Sequence, residues 1–493
     1  MFLLRKENIN YYLVYLVGFL FVLLNSILIY FQKFYLPLVP VLLLVAWVAF
    51  SRLDRIIYLI VFFVPLSIPL SEFMESISFD LYLPTEPLLA GVMLLYFLKY
   101  LHKDKIDIRI LRHPVTLAIY FNLAWICITS ITSTMPLVSF KFLVARIWFI
   151  ISFYLLLAQI FQDPKHIRQY LWTYIIPFSM VIVYVLIRHS AYGLNSQIAS
   201  HWVVRPFYND HTAYGAALAL LIPALIGLYF SYRKMNHLHR ILFILLLVFF
   251  GAATLFSYAR AAWVSLAAVF GIWVIVKLRI RFHFVVAGFI LLFALVFSLR
   301  TEIFMKLEQN NQTSSGEFTE HVQSITNVKN DASNLERLNR WNSALRMWKE
   351  KPVFGWGPGT YMFQYAPFQV SHEKTSISTN AGNRGNAHSE YLGPLSESGV
   401  LGMLSTILIF LTTIFTGFRV YLTSKKRKVR AISLGIMLGL ITYYIHGVLN
   451  NFLDTDKLSV LVWGYTAVLV ALDVYKGKGW GKKEVSEEQT IQS

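Results

Sequence analysis

The sequence predicts an all-α polytopic membrane protein with 12–14 transmembrane helices and one large, mostly helical loop domain. Three observations predict it. Of 493 residues, 57% are hydrophobic and 14% charged, with a mean hydropathy of +0.56; a soluble chain carries about 25% charged residues. The apolar residues fall in runs of about 15–20, the length that crosses a bilayer. The basic residues sit in short clusters between those runs, where they set topology.

The candidate spans are 11–30, 36–50, 56–70, 85–101, 114–133, 138–161, 170–188, 212–230, 241–257, 261–277, 284–298, 398–418, 431–449 and 458–474. Arg5 and Lys6 precede the first run, which has no small-residue cleavage site, so it reads as an uncleaved span. Alternate loops are basic: Ser51 to Arg55, His102 to His113, Asp163 to Arg168, Ser231 to Arg240, Lys277 to Arg281 and Ser424 to Arg430. These are expected in the cytoplasm with both termini. The segment from Ser71 to Pro84, with Glu72, Glu75 and Asp80, is expected outside. The division is then 1–298 as an N-terminal bundle, 299–397 as an outward loop domain, 398–474 as C-terminal helices and 475–493 as a cytoplasmic tail.

The net charge of +18 comes with no nucleic-acid motif, so the expected partners include membrane lipids and no nucleic acid. Cys127 is the only cysteine, which excludes an internal disulfide and a cysteine zinc cluster.

Within the loop, Gln309 to Asp331 is polar and reads as mobile. Ser333-Asn-Leu-Glu336 then has a capping-box pattern, and Leu335, Leu338, Trp341, Leu345 and Trp348 follow at helical spacing. An amphipathic helix is predicted over 334–350, stopped by Pro352, with Arg337 and Arg340 on its polar face. It should lie on the membrane surface or pack on the bundle.

Four elements carry the chemistry. Arg205-Pro-Phe-Tyr-Asn-Asp precedes the span at 212–230, and Ser257-Tyr-Ala-Arg260-Ala-Ala-Trp turns between two spans. Arg337-Leu-Asn-Arg-Trp341 leads into Pro352-Val-Phe-Gly355-Trp-Gly357-Pro-Gly359. Last, His388-Ser389 is followed after nine residues by Gly399-x-x-Gly402. In order and topology these resemble the O-antigen ligase and polymerase family over about 200–450.

The resemblance implies a bacterial inner-membrane enzyme with a C-type glycosyltransferase-like fold and a periplasmic site. Its donor would be a glycan on undecaprenyl diphosphate, and its acceptor a hydroxyl such as that of lipid A-core. Transfer would be inverting, metal-independent and cofactor-free. The implied catalytic residues are His388, Arg260 and Arg337; Arg205, Arg340, Ser389 and Glu390 are implied contacts to diphosphate or acceptor.

Physical chemistry runs the same way. A diphosphate leaving group needs fixed cations, and arginine offers a planar donor fork that keeps its charge. An arginine at a span boundary is functional, paired or snorkelling, and Arg260 admits all three. Arg340 also reads as solvated. Arg146, inside a span, reads as a structural pair or as a contact to the lipid carrier. His388 can take a proton from the attacking hydroxyl, orient it, or face the diphosphate as a cation.

Weaker signals surround these. Gly355 to Gly359 lacks the Gly-Lys-Ser of a nucleotide loop and reads as a turn set. Asp454-Thr-Asp456 is isolated and reads as chance, so no metal is expected. His446, Asn450 and Asn451 could line the site or simply pack. Glu397 is expected to serve the local fold. Tyr361, Phe363, Tyr365 and Phe368 alternate, as in a strand-like cover or a sugar platform. The rival readings are an O-antigen or exopolysaccharide polymerase, a protein O-oligosaccharyltransferase and, from a different class, a polysaccharide or small-solute transporter.

Overall fold

The computed structural model describes residues 6–32, 36, 40, 52–73, 81–101, 107–232, 235–280, 298, 332–375, 378 and 385–475. It divides into two units, 1–59 and 60–493. The first holds α1 (Lys6–Tyr30), whose Val14, Leu16, Phe19 and Val22 are exposed. Helix α2 (Leu53–Phe63) begins there and ends in the second unit.

The second unit continues with α3 (Thr85–Leu101), α4 (Pro114–Ile131), α5 (Pro136–Ile160), α6 (Pro164–Ser190), the short α7 (Gln197–Val203), α8 (His211–Ser231), α9 (His237–Phe256) and α10 (Arg260–Leu278). Then come α11 (Ala332–Glu350), α12 (Leu392–Thr423), α13 (Arg427–His446) and α14 (Asp456–Tyr475). Among the described residues, α4, α5, α6, α8, α9, α10, α12, α13 and α14 are nine helices long and apolar enough to cross a membrane. The chain is a multi-pass helical membrane protein.

Local chemistry starts these helices where they start. Pro114, Pro136 and Pro164 occupy the first turns of α4, α5 and α6, where no N–H is needed. The side chains of Asp163, Ser196, Asp210 and Asn236 cap α6, α7, α8 and α9. Pro177 and Pro223 sit inside α6 and α8, a placement membrane helices tolerate.

The centre is built on close approach. A Cβ on Gly227 of α8 would lie 2.9 Å from the Cα of Gly435 on α13, so only glycine lets these backbones meet, as small residues do between membrane helices. Helix α14 is buried along nearly all of its length. Helices α9 and α10 instead expose apolar side chains, among them Ile241, Leu245, Val248 and Phe270, as lipid-facing helices do.

Alternating helices leave the connections at two ends. One end holds 107–113, 161–163, 232, 235–236 and 424–426; the other holds 132–135, 191–210, 257–259 and 447–455. The second end also receives α11, which packs against α12.

Several expectations change. The span at 56–70 is the 11-residue helix α2, ended by a tight turn at Val64–Leu66. Pro65 and Pro69 remove the N–H groups a longer helix needs. The Lys457 ammonium takes the Val64 and Ser67 carbonyls at 2.6 Å each. Ile68 and Pro69 pair antiparallel with Tyr82 and Leu83. The spans at 36–50 and 284–298 and the segment 309–331 fall almost wholly outside the described residues.

Helix α11 also buries a different face. Glu336, Asn339, Arg340, Ser343, Ala344 and Met347 are buried, while Leu338 is exposed and Leu345 and Trp348 are half-buried. The helix starts at Ala332, so Ser333 lies inside it. Glu336 takes hydrogen bonds from Thr375 and Ser378 and pairs with Arg340. The aromatic alternation is helical rather than strand-like. Tyr361 and Tyr365 sit one turn apart, stacked at 5.2 Å and buried against Ala344, Met347 and Ala387.

Candidate functional site

The motif elements meet at the end that holds α11. Asp210 caps α8, its carboxylate accepting from the Thr212 and Ala213 amides at 2.7 and 2.9 Å and from the Thr212 hydroxyl at 2.6 Å. Burial pushes this carboxyl up, but those bonds and the nearby His211 outweigh it and hold the pKa below the usual value. The group is therefore an anion fixed at the head of a membrane helix.

Arg260 is the first residue of α10, which no side chain caps. The turn before it is built on Ser257, whose hydroxyl donates to the Thr254 carbonyl at 2.7 Å and accepts from the Ala259 amide at 3.3 Å. Trp263 closes it with a 2.9 Å bond to the same carbonyl. Tyr258 takes a left-handed φ of +51° there. His388 takes one of +48°. A non-glycine residue in this region carries about 1–2 kcal/mol of strain, and such residues gather at functional sites.

His388 is half-buried. Its amide donates to Asn386 Oδ1 at 3.1 Å, and its carbonyl accepts from Trp341 Nε1 at 3.3 Å. The Arg-x-x-x-Trp element of α11 thus grips the histidine motif through the motif's backbone. Burial, then the charges of Arg337 and Arg340, lower the His388 pKa to about 4, against smaller raising effects of Asp210 and Glu336. The imidazole is neutral at pH 7.

Arg337 is the hub. Its charge lies within coulombic reach of three imidazoles, those of His211, His388 and His446. Arg260 reaches His211 as well. His201 stacks on His211 with ring centroids 4.1 Å apart. The Nδ1 atoms of His211 and His446 are buried and make no hydrogen bond among the described residues. His446 keeps its other nitrogen 3.1 Å from Asn450 Nδ2. This end of the bundle therefore gathers two arginines, four histidines and a fixed carboxylate.

Not every sequence candidate points into that group. Arg340 is not solvated: its Nε lies 2.7 Å from Glu336, its guanidinium covers the Tyr365 ring at 4.7 Å, and it bonds the Asn386 carbonyl. It supports the segment carrying His388. Ser389 Oγ accepts from the Tyr391 and Leu392 amides at 3.3 Å each and so starts α12. Glu390 accepts from the Tyr443 hydroxyl at 2.6 Å and from the Phe452 and Leu453 amides at 2.8 and 3.0 Å, which fixes the turn after α13. Burial pushes its carboxyl up, as does the charge of Asp454. Arg205 is exposed, and its carbonyl accepts from Arg188 at 2.6 Å.

The remaining polar groups have local duties. Arg146 pairs with Asp454 at 3.0 Å beside a cavity of about 40 Å³, which also borders Glu390 and Glu397; the structural pair is what forms. Glu397 accepts from the Tyr361 amide at 2.9 Å, a duty to the local fold. Asp456 diverges from Asp454, taking Ser67 and Thr85 hydroxyls at 2.8 and 2.5 Å. The turn set at 352–359 is found with left-handed glycines at 355, 357 and 359.

Arginines and histidines thus meet at one end of a multi-pass helical membrane bundle. Residues 243–407 match the family model described as O-Antigen ligase, and over those residues the chain carries a domain of that family. The matched stretch includes Arg260, Arg337 and His388; His201, Asp210, His211 and His446 lie outside it. An uncharacterized protein of Haemophilus influenzae is 35% identical over 79 residues, a stretch covering 16% of this chain and 19% of that protein.

Proposed function

We propose that this protein is an O-antigen ligase-like glycosyltransferase. It moves a glycan from undecaprenyl diphosphate to an acceptor hydroxyl, such as that of lipid A-core, at the periplasmic face of the bacterial inner membrane. The observation that carries the reading is the placing of Arg337 within reach of His211, His388 and His446, with Arg260 within reach of His211 as well.

In this reading Arg337 and Arg260 hold the diphosphate and stabilise the charge that grows on it as the glycosidic bond breaks. Fixed cations do this at little reorganisation cost. The acceptor oxygen attacks the anomeric carbon from the opposite side, so the centre inverts, and its proton passes to a base. His388 fits that role because it is neutral at pH 7. As the anionic donor binds, its charge raises the affinity of the imidazole for a proton. Asp210 balances the arginines between turnovers. Arg205 supports the donor from the exposed rim, while Arg340, Ser389 and Glu390 position the loop and the turn around it.

The test is reconstituted transfer. Purified protein is given lipid-linked glycan and acceptor, with chelator present. Transfer that survives chelator and drops at least about a hundredfold in Arg260→Ala and His388→Ala supports the reading. Full activity in both variants sinks it. In a deletion strain, long chains stranded on the carrier indicate ligation to lipid A-core, capped single repeats indicate a polymerase, and loss of glycan from proteins indicates an O-oligosaccharyltransferase.

A further inference from the structure

His446, the last residue of α13, is 1% exposed. Its backbone carbonyl accepts from the Leu449 and Asn450 amides at 3.0 and 3.2 Å, which brings Asn450 back to the ring. There Asn450 Nδ2 donates to His446 Nε2 at 3.1 Å. Phe452 packs against the ring with centroids 5.8 Å apart. The Glu390 amide donates to the Gly447 carbonyl at 2.8 Å, which ties this turn to the segment carrying His388.

These contacts decide the state of the ring. An amide nitrogen donates and does not accept, so Nε2 carries no hydrogen and the ring's one hydrogen sits on Nδ1. Nδ1 is thus a donor, yet it is buried and makes no hydrogen bond among the described residues. Buried donors are nearly always paired, because an unpaired one forfeits the bonds it made to water. The groups whose charges reach the His446 ring are Asp210, Arg337 and His211, all at the candidate site. A second buried imidazole nitrogen without a hydrogen bond, Nδ1 of His211, belongs to the same group.

An N–H placed beside a guanidinium calls for an acceptor that both can share, and an oxyanion is that acceptor. We propose that His446 is a diphosphate-binding residue, its Nδ1–H donating to an oxygen of the polyprenyl diphosphate that Arg337 holds. This rests on the glycosyl-transfer reading of the site. A neutral donor adds a contact without adding a positive charge, which would oppose proton uptake at His388.

The test is binding of undecaprenyl diphosphate to the purified full-length protein in detergent, so no turnover is needed. Two variants separate the two nitrogens, since the amide of asparagine reaches about as far as Nδ1 and that of glutamine about as far as Nε2. His446→Gln keeps a partner for Asn450 and loses the Nδ1 donor; binding is expected to weaken roughly tenfold, the worth of one hydrogen bond to a charged oxygen. His446→Asn keeps a donor near Nδ1, and binding is expected within about twofold of the wild type. A purely structural role predicts the reverse order, because only glutamine preserves the contact to Asn450. That reverse order, wild-type binding in His446→Gln, or failure of His446→Gln to fold overturns the assignment while leaving the transfer reading standing. A wild type that binds no undecaprenyl diphosphate sinks the reading of the whole site, and this assignment with it.

Discussion

Trp341 Nε1 reaches the carbonyl oxygen of His388 at 3.3 Å, so a side chain of α11 holds the backbone of the residue proposed as base. That residue is also in a left-handed conformation, with φ +48°. Replacing Trp341 by Phe keeps most of the ring and removes the donor. A net hydrogen bond is worth about 1 kcal/mol, and a strained backbone released from it can relax. Transfer is expected to fall roughly tenfold, with yield and elution of the protein unchanged. The reconstituted assay checks this, and a variant as active as the wild type separates Trp341 from the site.

Arg337 and His388 form the second test. Burial and then Arg337 hold the imidazole near pKa 4, below the ordinary value of 6.5. In that window an unconstrained histidine binds a proton that His388 refuses, so the folded state gains from His388 as pH rises from about 4 to 6.5. The acid limb of kcat/KM, which reports the free enzyme, is expected below the ordinary histidine range. Arg337→Gln removes the largest charge acting on the ring, and the limb should move to higher pH. Arg337→Lys keeps the charge, so the limb should stay low while the rate drops for want of a planar fork. Coincident profiles for the two variants would uncouple the residues.

Arg340 makes a contrasting prediction. Its guanidinium is buried in a pair with Glu336 and covers Tyr365. Removing one member of a buried pair leaves an uncompensated charge, at a cost of about 3–5 kcal/mol. Arg340→Ala is expected to lower the melting temperature and the yield strongly. The double variant Glu336→Gln/Arg340→Met removes both charges and should recover much of that loss. Full stability in Arg340→Ala would place the guanidinium in solvent after all.

Much of this was legible in the chain. Runs of apolar residues give the spans, since nothing else satisfies the backbone in a bilayer. The spacing from His388 to Gly399 and Gly402 is legible as one unit, because the histidine segment leads straight into the bent start of α12. Less visible was which face of α11 is buried. Its apolar stripe of Leu338, Leu345 and Trp348 reads as inward by hydropathy, but Glu336, Asn339 and Arg340 bond to Gln369, Ser378, Asn386 and one another. Such pairing depends on residues some 30–50 positions away, beyond any local periodicity. His201 and His211 were missed as well. Their only sequence signal is that they flank the Arg205 to Asp210 element, and a lone histidine says little until a partner stacks on it.

Gly399 carries the last prediction. Its φ of +69° and ψ of −169° fall in a region that essentially only glycine occupies. A Cβ at this position would also run into the Val353 carbonyl. The bend lets the Val400 amide donate to the Pro352 carbonyl at 3.1 Å, while the Trp356 and Gly357 amides take the Ser396 and Glu397 carbonyls at 3.1 and 2.8 Å. The turn set at 352–359 and the start of α12 are therefore one interlocked piece, and α11 is seated through it. Gly399→Ala meets both the forbidden conformation and the clash. It is expected to cost about 2–3 kcal/mol, seen as a lower melting temperature and as lost transfer together. Asparagine tolerates ordinary left-handed φ with ψ near +45° but not this ψ, and it still brings a Cβ, so Gly399→Asn should fare no better. A Gly399→Asn variant that melts and transfers like the wild type would mean the bend is set elsewhere, by the proline at 394 or by the packing of α11.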